Sequence, residues 1–296
     1  MNTAIEVREL SKRYEKTEAL RGLTFHVPAG SLCGMIGLNG AGKTTTLRIL
    51  MGMARPDSGA ALIAGLDCAT ASEAIRARTA LVPETKTLFP YMTVHDVVAF
   101  TRAFYPKWRP ERERTLREAF DLDYAKKLNK LSKGTLAKVH LLLALSRGAD
   151  VIILDEPTDG LDAIATDVSL RQMAALAADE GVTILFASHR MEEIEQLADH
   201  LVVIDRGRCL LDLPADELRA ATKRFVAVLP ESVPAAELTS LGRLERDGRS
   251  VSLTVWHDPA GAEAKLREFG ATSVESDSVP LRRLFVDMVG GRNAVA

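Results

Sequence analysis

Residues 37–45 read GLNGAGKTT, directly after the apolar run SLCGMI at 31–36. The stretch is either a cradle for phosphate or a glycine-rich turn, and the fold follows from the answer. Gly37, Gly42, Lys43 and Thr44 hold the fixed positions of the pattern GxxxxGK(S/T). A predicted strand precedes them and a predicted helix, TTTLRILMGM, follows, which is the context that separates a P-loop from an accidental match. Glycines let backbone N–H groups turn inward around phosphate oxygens, and the helix N-terminus adds partial positive charge. Asn39, Gly40, Ala41 and Thr45 complete the cradle. Lys43 is placed to reach β- and γ-phosphates, and the Thr44 hydroxyl to ligate Mg²⁺.

Two further apolar runs end in polar residues. VIILDEPTDGLD at 151–162 puts Asp155 at a strand end, where a carboxylate can hold Mg²⁺ through water. Glu156 follows it, suited to orient and polarise an attacking water. The competing reading is an Asp-Glu pair that closes a strand before a turn. TILFASHR at 183–190 places His189 after a third strand, in reach of a γ-phosphate, although a lone histidine is often structural. Short buried strands alternating with helices imply an α/β fold with a parallel core sheet. Ligands then sit at the carboxyl ends of the strands, so all three motifs address one site.

Ahead of these runs the chain alternates. Ile5, Val7 and Leu10, then Leu23, Phe25 and Val27, show the period of two expected of half-buried antiparallel strands. Residues 85–145 read as mostly helical. Within them PERERTLREAF offers Glu113–Arg117 and Arg114–Glu118 pairs on a solvated helix, and its interleaved glutamates argue against a nucleic-acid patch. Beyond residue 221 the character changes. RFVAVLP and SVSLTVW alternate as strands around an Asp-Gly turn signal, and AGAEAKLREFG and PLRRLFVDMVGG read as short amphipathic helices. The expected division is 1–221 and a small α+β appendage at 222–296.

Composition narrows the setting. The 296 residues carry 38 Lys and Arg against 40 Asp and Glu, so no global basic field favours nucleic acid or an anionic membrane. No apolar run approaches the roughly 18–20 residues of a membrane span. The N-terminus lacks the basic-then-apolar signal pattern, so a membrane role is expected to come through a partner. Cys33, Cys68 and Cys209 have no ligand spacing and read as free thiols of a reducing compartment.

The motifs, in this order, resemble the nucleotide-binding subunit of ATP-binding-cassette (ABC) transporters. The resemblance covers residues 1 to about 220. It rests on Tyr14 in SKRYEKTEAL, the P-loop, VPETKTLFPYMT at 82–93, LSKGT at 131–135, VIILDEP, GLD at 160–162 and His189. It implies a P-loop NTPase cassette with an N-terminal antiparallel β subdomain and a helical subdomain at about 85–145. It also implies ATP and Mg²⁺ as ligands. Tyr14 would stack on adenine. Two cassettes would meet head to tail, with Ser132 and Gly134 of one facing the γ-phosphate held by the other and Asp162 crossing the interface. The competing reading of Ser132 is an ordinary helix N-cap.

Two motifs depart from the family pattern. Glu84 stands where the usual glutamine would, which keeps a Mg²⁺ ligand but adds charge. Lys133 and Thr135 turn the usual LSGGQ into LSKGT. Both departures, and the appendage, resemble the ABC-2-type exporter subunits, whose permease is a separate chain. The resemblance therefore implies a peripheral ATPase on the cytoplasmic face of the membrane. Its partners would be an integral-membrane permease and a second cassette, identical or different, with no nucleic acid. Phe89, Tyr91, Met92 and Thr93 would receive the permease, with plain core packing as the competing reading. The alternative function is a soluble ABC ATPase that acts on nucleic acid or the ribosome.

Overall fold

The structure, a computed structural model, describes residues 2–256 and 258–290. The chain forms two compact units, residues 1–212 and 213–296.

The first unit opens with a long hairpin, β1 (Thr3–Tyr14) and β2 (Thr17–Pro28). Ile5, Val7 and Leu10 of β1 are fully buried, as are Leu23 and Val27 of β2, so the alternation read from the sequence is the buried face of this hairpin. β3 (Leu32–Ile36) follows and is buried at every residue. It feeds α1 (Lys43–Leu50), after which β4 (Ser58–Ile63) and β5 (Leu66–Asp67) return to the hairpin and complete an antiparallel sheet ordered β2-β1-β4-β5. α2 (Ser72–Arg78) then leads into β6 (Thr79–Val82).

The helical stretch comprises α3 (Val94–Ala103), α4 (Pro110–Ala119) and α5 (Lys133–Ser146). α3 starts cleanly because Thr93 accepts from the Asp96 amide while Asp96 accepts from the Thr93 amide, a reciprocal cap. α4 is less solvated than its charge pattern predicts. Glu113 accepts from Trp108 Nε1 at 2.8 Å and the Tyr124 hydroxyl at 3.0 Å, and Arg117 lies over the Tyr124 ring. Aromatic N–H and O–H groups that enter the interior need an acceptor, and that need outweighs a surface ion pair.

β7 (Val151–Asp155), α6 (Ala163–Glu180), β8 (Thr183–Ala187), α7 (Met191–Leu197), β9 (His200–Asp205) and β10 (Arg208–Pro214) finish the core. The six-stranded sheet runs β10-β9-β3-β8-β7-β6. β3 pairs in parallel with β8 and β9, and β7 with β6 and β8. β7 and β8 are buried throughout, which is why their sequences run apolar instead of alternating. Each fully buried Leu, Ile or Phe contributes roughly 1.5–3 kcal/mol, so a charge at Leu154 or Phe186 would break the layer. One core cluster runs from Ile5 and Phe25 through Leu47 of α1 to Met35 and Ile153, joining the two sheets of this unit.

The second unit contains α8 (Ala215–Ala221), β11 (Lys223–Val228), α9 (Ala235–Thr239), β12 (Arg243–Asp247), β13 (Ser250–Val255), α10 (Pro259–Glu268), β14 (Val274–Ser278) and α11 (Leu281–Gly290). From β11 to β14 the order is βαββαβ, and the antiparallel sheet runs β12-β13-β11-β14. This is the ferredoxin-like split βαβ arrangement. Its core gathers Phe225, Leu229, Leu238, Leu253 and Leu266. The β12–β13 loop is Gly248–Arg249, with Asp247 paired to Ser250 as the last strand residue. The Asp-Gly signal thus marks the hairpin, with only its glycine inside the two-residue loop.

Candidate active site

The phosphate loop is built by close approach of backbone. Gly42 adopts φ 113°, and a Cβ there would lie 2.7 Å from Leu20 Cδ2 and 2.9 Å from the Ala19 carbonyl, so only glycine fits. The Ala41 amide donates to the Leu38 carbonyl, and the Ala41 carbonyl accepts from Gly207. The first bond closes the loop on itself and the second ties it to the β9–β10 turn. Lys43 is buried, and its Nζ donates to the Gly37 carbonyl at 2.6 Å and more weakly to Leu38 at 3.4 Å. The ammonium therefore arches over the loop that its own helix starts. A cavity of about 330 Å³ opens there, lined by Asn39, Gly40, Gly42, Lys43, Thr44 and Thr45 together with Glu84, Asp155 and Glu156. Leu38 and the start of β2, Thr17 to Ala19, supply the remaining wall.

β7 delivers the carboxylates. Asp155 is almost fully buried at the strand's carboxyl end. Burial pushes its carboxyl above the ordinary range, Glu84 and Glu156 add to the rise, and the Thr44 hydroxyl and Lys43 oppose it. Glu156 sits at φ 49°, a left-handed backbone that costs a non-glycine residue roughly 1–2 kcal/mol. Its neighbours hold it there. The Glu156 amide donates to the Ala187 carbonyl at 2.9 Å, and the Glu156 carbonyl accepts from Lys86 Nζ at 2.9 Å. His189 donates Nδ1–H to Glu156 Oε2 at 2.7 Å, which fixes the imidazole tautomer, and its amide reaches the same oxygen at 3.3 Å. Lys43, Thr44, Glu84, Asp155 and Glu156, read from separate motifs, thus line one cavity, and His189 reaches it through its bond to Glu156.

Two contributors carry no motif of their own. Lys86 lies two residues beyond Glu84, and burial lowers its ammonium pKa. Its only signal in the sequence is a lysine close to a carboxylate that replaces an expected amide. Glu193 is buried on α7, accepts from Thr158 Oγ1 at 2.7 Å and pairs with Arg190 at 3.1 Å. It joins the segment after Asp155 to the segment after His189, and no spacing in the sequence points to it.

The remaining candidates form a separate cluster. Ser132, Gly134 and Asp162 are not among the residues lining the cavity. Ser132 caps α5, accepting from the Thr135 amide at 3.1 Å. Asp162 caps α6, accepting from Ala165 at 2.8 Å, and pairs with Lys138 at 3.1 Å. A Cβ on Gly134 would strike the Gly160 carbonyl oxygen, so the two loops interlock only through glycine. Lys133 is exposed and pairs with Asp159 at 2.9 Å. Tyr14 is exposed at the end of β1, with Lys12 Nζ 5.4 Å from its ring centre. Phe89 and Tyr91 lie in the loop before α3 and are exposed; Phe89 is in tilted contact with Tyr91 and in edge contact with Phe100, which in turn meets Phe104. They are not core residues.

Comparison with known proteins adds to this geometry. The ABC transporter family profile matches residues 20–159. The Nod factor export ATP-binding protein I of Burkholderia orbicola (strain AU 1054) is 38% identical, over 69% of this chain and 68% of that protein. The daunorubicin resistance ATP-binding protein DrrA3 of Streptomyces coeruleorubidus is 33% identical, over 97% of this chain and 95% of that protein, so the similarity runs through the second unit. A solved ATP-binding subunit of an ABC transporter superposes with a TM-score of 0.68 at 32% identity, over 73% of this chain and 92% of that one.

Proposed function

The chain belongs to the ATP-binding subunits of ABC transporters, the exporter-type ATPases that hydrolyse ATP, and on that premise we propose how it works and with what. It acts as one half of a cassette dimer, on the cytoplasmic face of a membrane, and drives a separate permease that exports its cargo. The two relatives named above, one for export and one for drug resistance, favour that direction. The ATPase domain proposed is residues 1–221, which takes in α8 beyond the first compact unit, and the appendage is 222–296.

Within one chain, Lys43, the loop amides and the N-terminus of α1 bind the phosphates. Thr44, Asp155 and Glu84 fit a hard divalent cation. Their residues line one cavity, and burial first, then the like charges of Glu84 and Glu156, raises the Asp155 carboxyl, a penalty that a cation would relieve. When bound, Mg²⁺ would neutralise charge on the phosphate oxygens. Glu156 accepts the proton of the attacking water. His189 holds the Glu156 carboxylate in place and presents its ring to the γ-phosphate. Tyr14 stacks on adenine.

Ser132 and Gly134 lie apart from the cavity, which supports their delivery to the nucleotide by a second copy, with Asp162 at the crossing. The single observation that carries the transporter reading is the exposed aromatic row Phe89, Tyr91, Phe100 and Phe104, which presents apolar surface beside the ATPase core. The test is capture with tagged Glu156→Gln protein, expressed in its native cell and solubilised in mild detergent with ATP and Mg²⁺. A polytopic membrane protein should co-purify, and Tyr91→Glu should release it without changing hydrolysis by the isolated subunit. Recovery of ribosomes or nucleic acid instead would overturn the reading.

A further inference from the structure

The end of the six-stranded sheet away from the phosphate loop carries chemistry that ATP hydrolysis does not use. His26 on β2, His200 at the start of β9 and Asp212 on β10 converge there. One donor atom from each lies within 4.8 Å of the others. Asp212 Oδ2 is 2.7 Å from His26 Nδ1, and Oδ1 is 2.7 Å from His200 Nε2. The imidazole centres are 5.1 Å apart, in an edge-on arrangement.

Strand register prepares the site. His200 is buried and pairs with Cys33 at the beginning of β3. The His26 amide donates to Asp212 Oδ2 at 3.0 Å, which fixes the carboxylate beside β2. β3 spans five residues between this end and the phosphate loop, a separation of about 15 Å. His26 is exposed, so an ion can enter from solvent.

We infer that His26, His200 and Asp212 form a binding site for a divalent transition-metal ion of the zinc type. Two imidazoles and one carboxylate are a donor set for such ions, and three protein ligands leave a fourth position for water. Mg²⁺ prefers oxygen ligands and is disfavoured here. Binding exchanges two N–H···O bonds for metal bonds, and each imidazole then carries its proton on its other nitrogen. The ion would clip β2, from the antiparallel sheet, to β9 and β10 of the six-stranded sheet.

The test uses full-length, nucleotide-free protein and the metals alone. Co²⁺ titration should give visible d–d bands that saturate at one equivalent. Zn²⁺ should raise the melting temperature, and a chelator should reverse it. His26→Ala removes an exposed ligand without opening the core and should weaken binding by about tenfold or more. Asp212→Asn should do the same, whereas His95→Ala, an exposed histidine elsewhere, should leave binding unchanged. If no bands develop, or if His26→Ala binds Co²⁺ as well as the wild type, the three residues form only a hydrogen-bonded triad and the inference fails.

Discussion

Each unit buries an aspartate, and the two are treated in opposite ways. Asp287, on α11 of the second unit, is met by Arg243 Nε at 3.2 Å and Arg283 Nε at 3.1 Å. Two guanidinium groups answer one carboxylate, which is how a buried charge becomes part of a scaffold. Asp155, in the first unit, faces Glu84 and Glu156, with Thr44 and Lys43 as its only opposing groups among the causes of its shift. Its carboxyl is raised, so the folded chain holds that proton more readily than the unfolded chain does. Stability from this group therefore falls as pH rises from about 3.8 through the raised value. A fold accepts that penalty where a ligand will relieve it. Neutralised burial marks architecture, and unneutralised burial marks function.

The contrast is broken or sharpened by four measurements. Glu156→Gln should reduce phosphate release by about 10²–10⁴-fold while ATP binding persists. A wild-type rate would make the carboxylate cluster architectural after all. Next in size, Asp287→Ala leaves Arg243 and Arg283 facing an empty position. Both arginines are partly exposed, so the loss should be about 2–3 kcal/mol, read as a lower unfolding midpoint with hydrolysis intact. A variant that kept its midpoint but lost hydrolysis would reverse the comparison.

His140 tests burial without a partner. It lies on α5, its Nε2 has no hydrogen-bond partner among the described residues, and burial, with the nearby Lys86 charge, lowers its pKa from 6.5 to about 4. The unfolded chain binds the proton first as pH falls, so stability should drop between pH 6.5 and about 4, by up to about 3 kcal/mol. His140→Gln should flatten that slope in denaturant titrations run across the window, and an unchanged slope would assign it to other groups. The smallest effect is expected at Lys86. Lys86→Met removes the bond that restrains the left-handed Glu156 backbone, worth about 1 kcal/mol, and should lower kcat up to about tenfold with KM little changed. Lys86→Arg should recover part of the loss. A rise in KM with kcat unchanged would instead place Lys86 on the nucleotide.

Much of the site was legible because its chemistry is local. GLNGAGKT needs glycine where the backbone turns at φ 113° and where a lysine must open a helix, so residue type and spacing carry the signal. Asp155 ends a strand and His189 lies two residues beyond one, and both apolar runs can be seen directly. Lys86 and Glu193 were not legible, since each acts through one contact to a segment distant in sequence, at Glu156 and Thr158. The metal triad was hidden for the same reason. His26 and Asp212 are separated by 186 positions and meet only when two sheets pack. In α4 the sequence suggested a solvated ion-pair ladder, yet Trp108 and Tyr124 claimed Glu113, because an i,i+4 rule cannot see aromatic groups arriving from outside the helix.

The sequence by itself determined a parallel α/β core, a glycine-rich loop that opens a helix, two strand ends bearing polar residues and an α+β appendage. Each depends on periodicity or on motifs a few residues long, and those survive without coordinates. Only the tertiary structure decided that Glu156 is held in a left-handed backbone, that Ser132 and Asp162 cap helices away from the cavity, and that the appendage is a split βαβ sheet ordered β12-β13-β11-β14. Backbone strain, strand order and the distance between loops are set by the packing of segments far apart in the chain, and no local pattern records them.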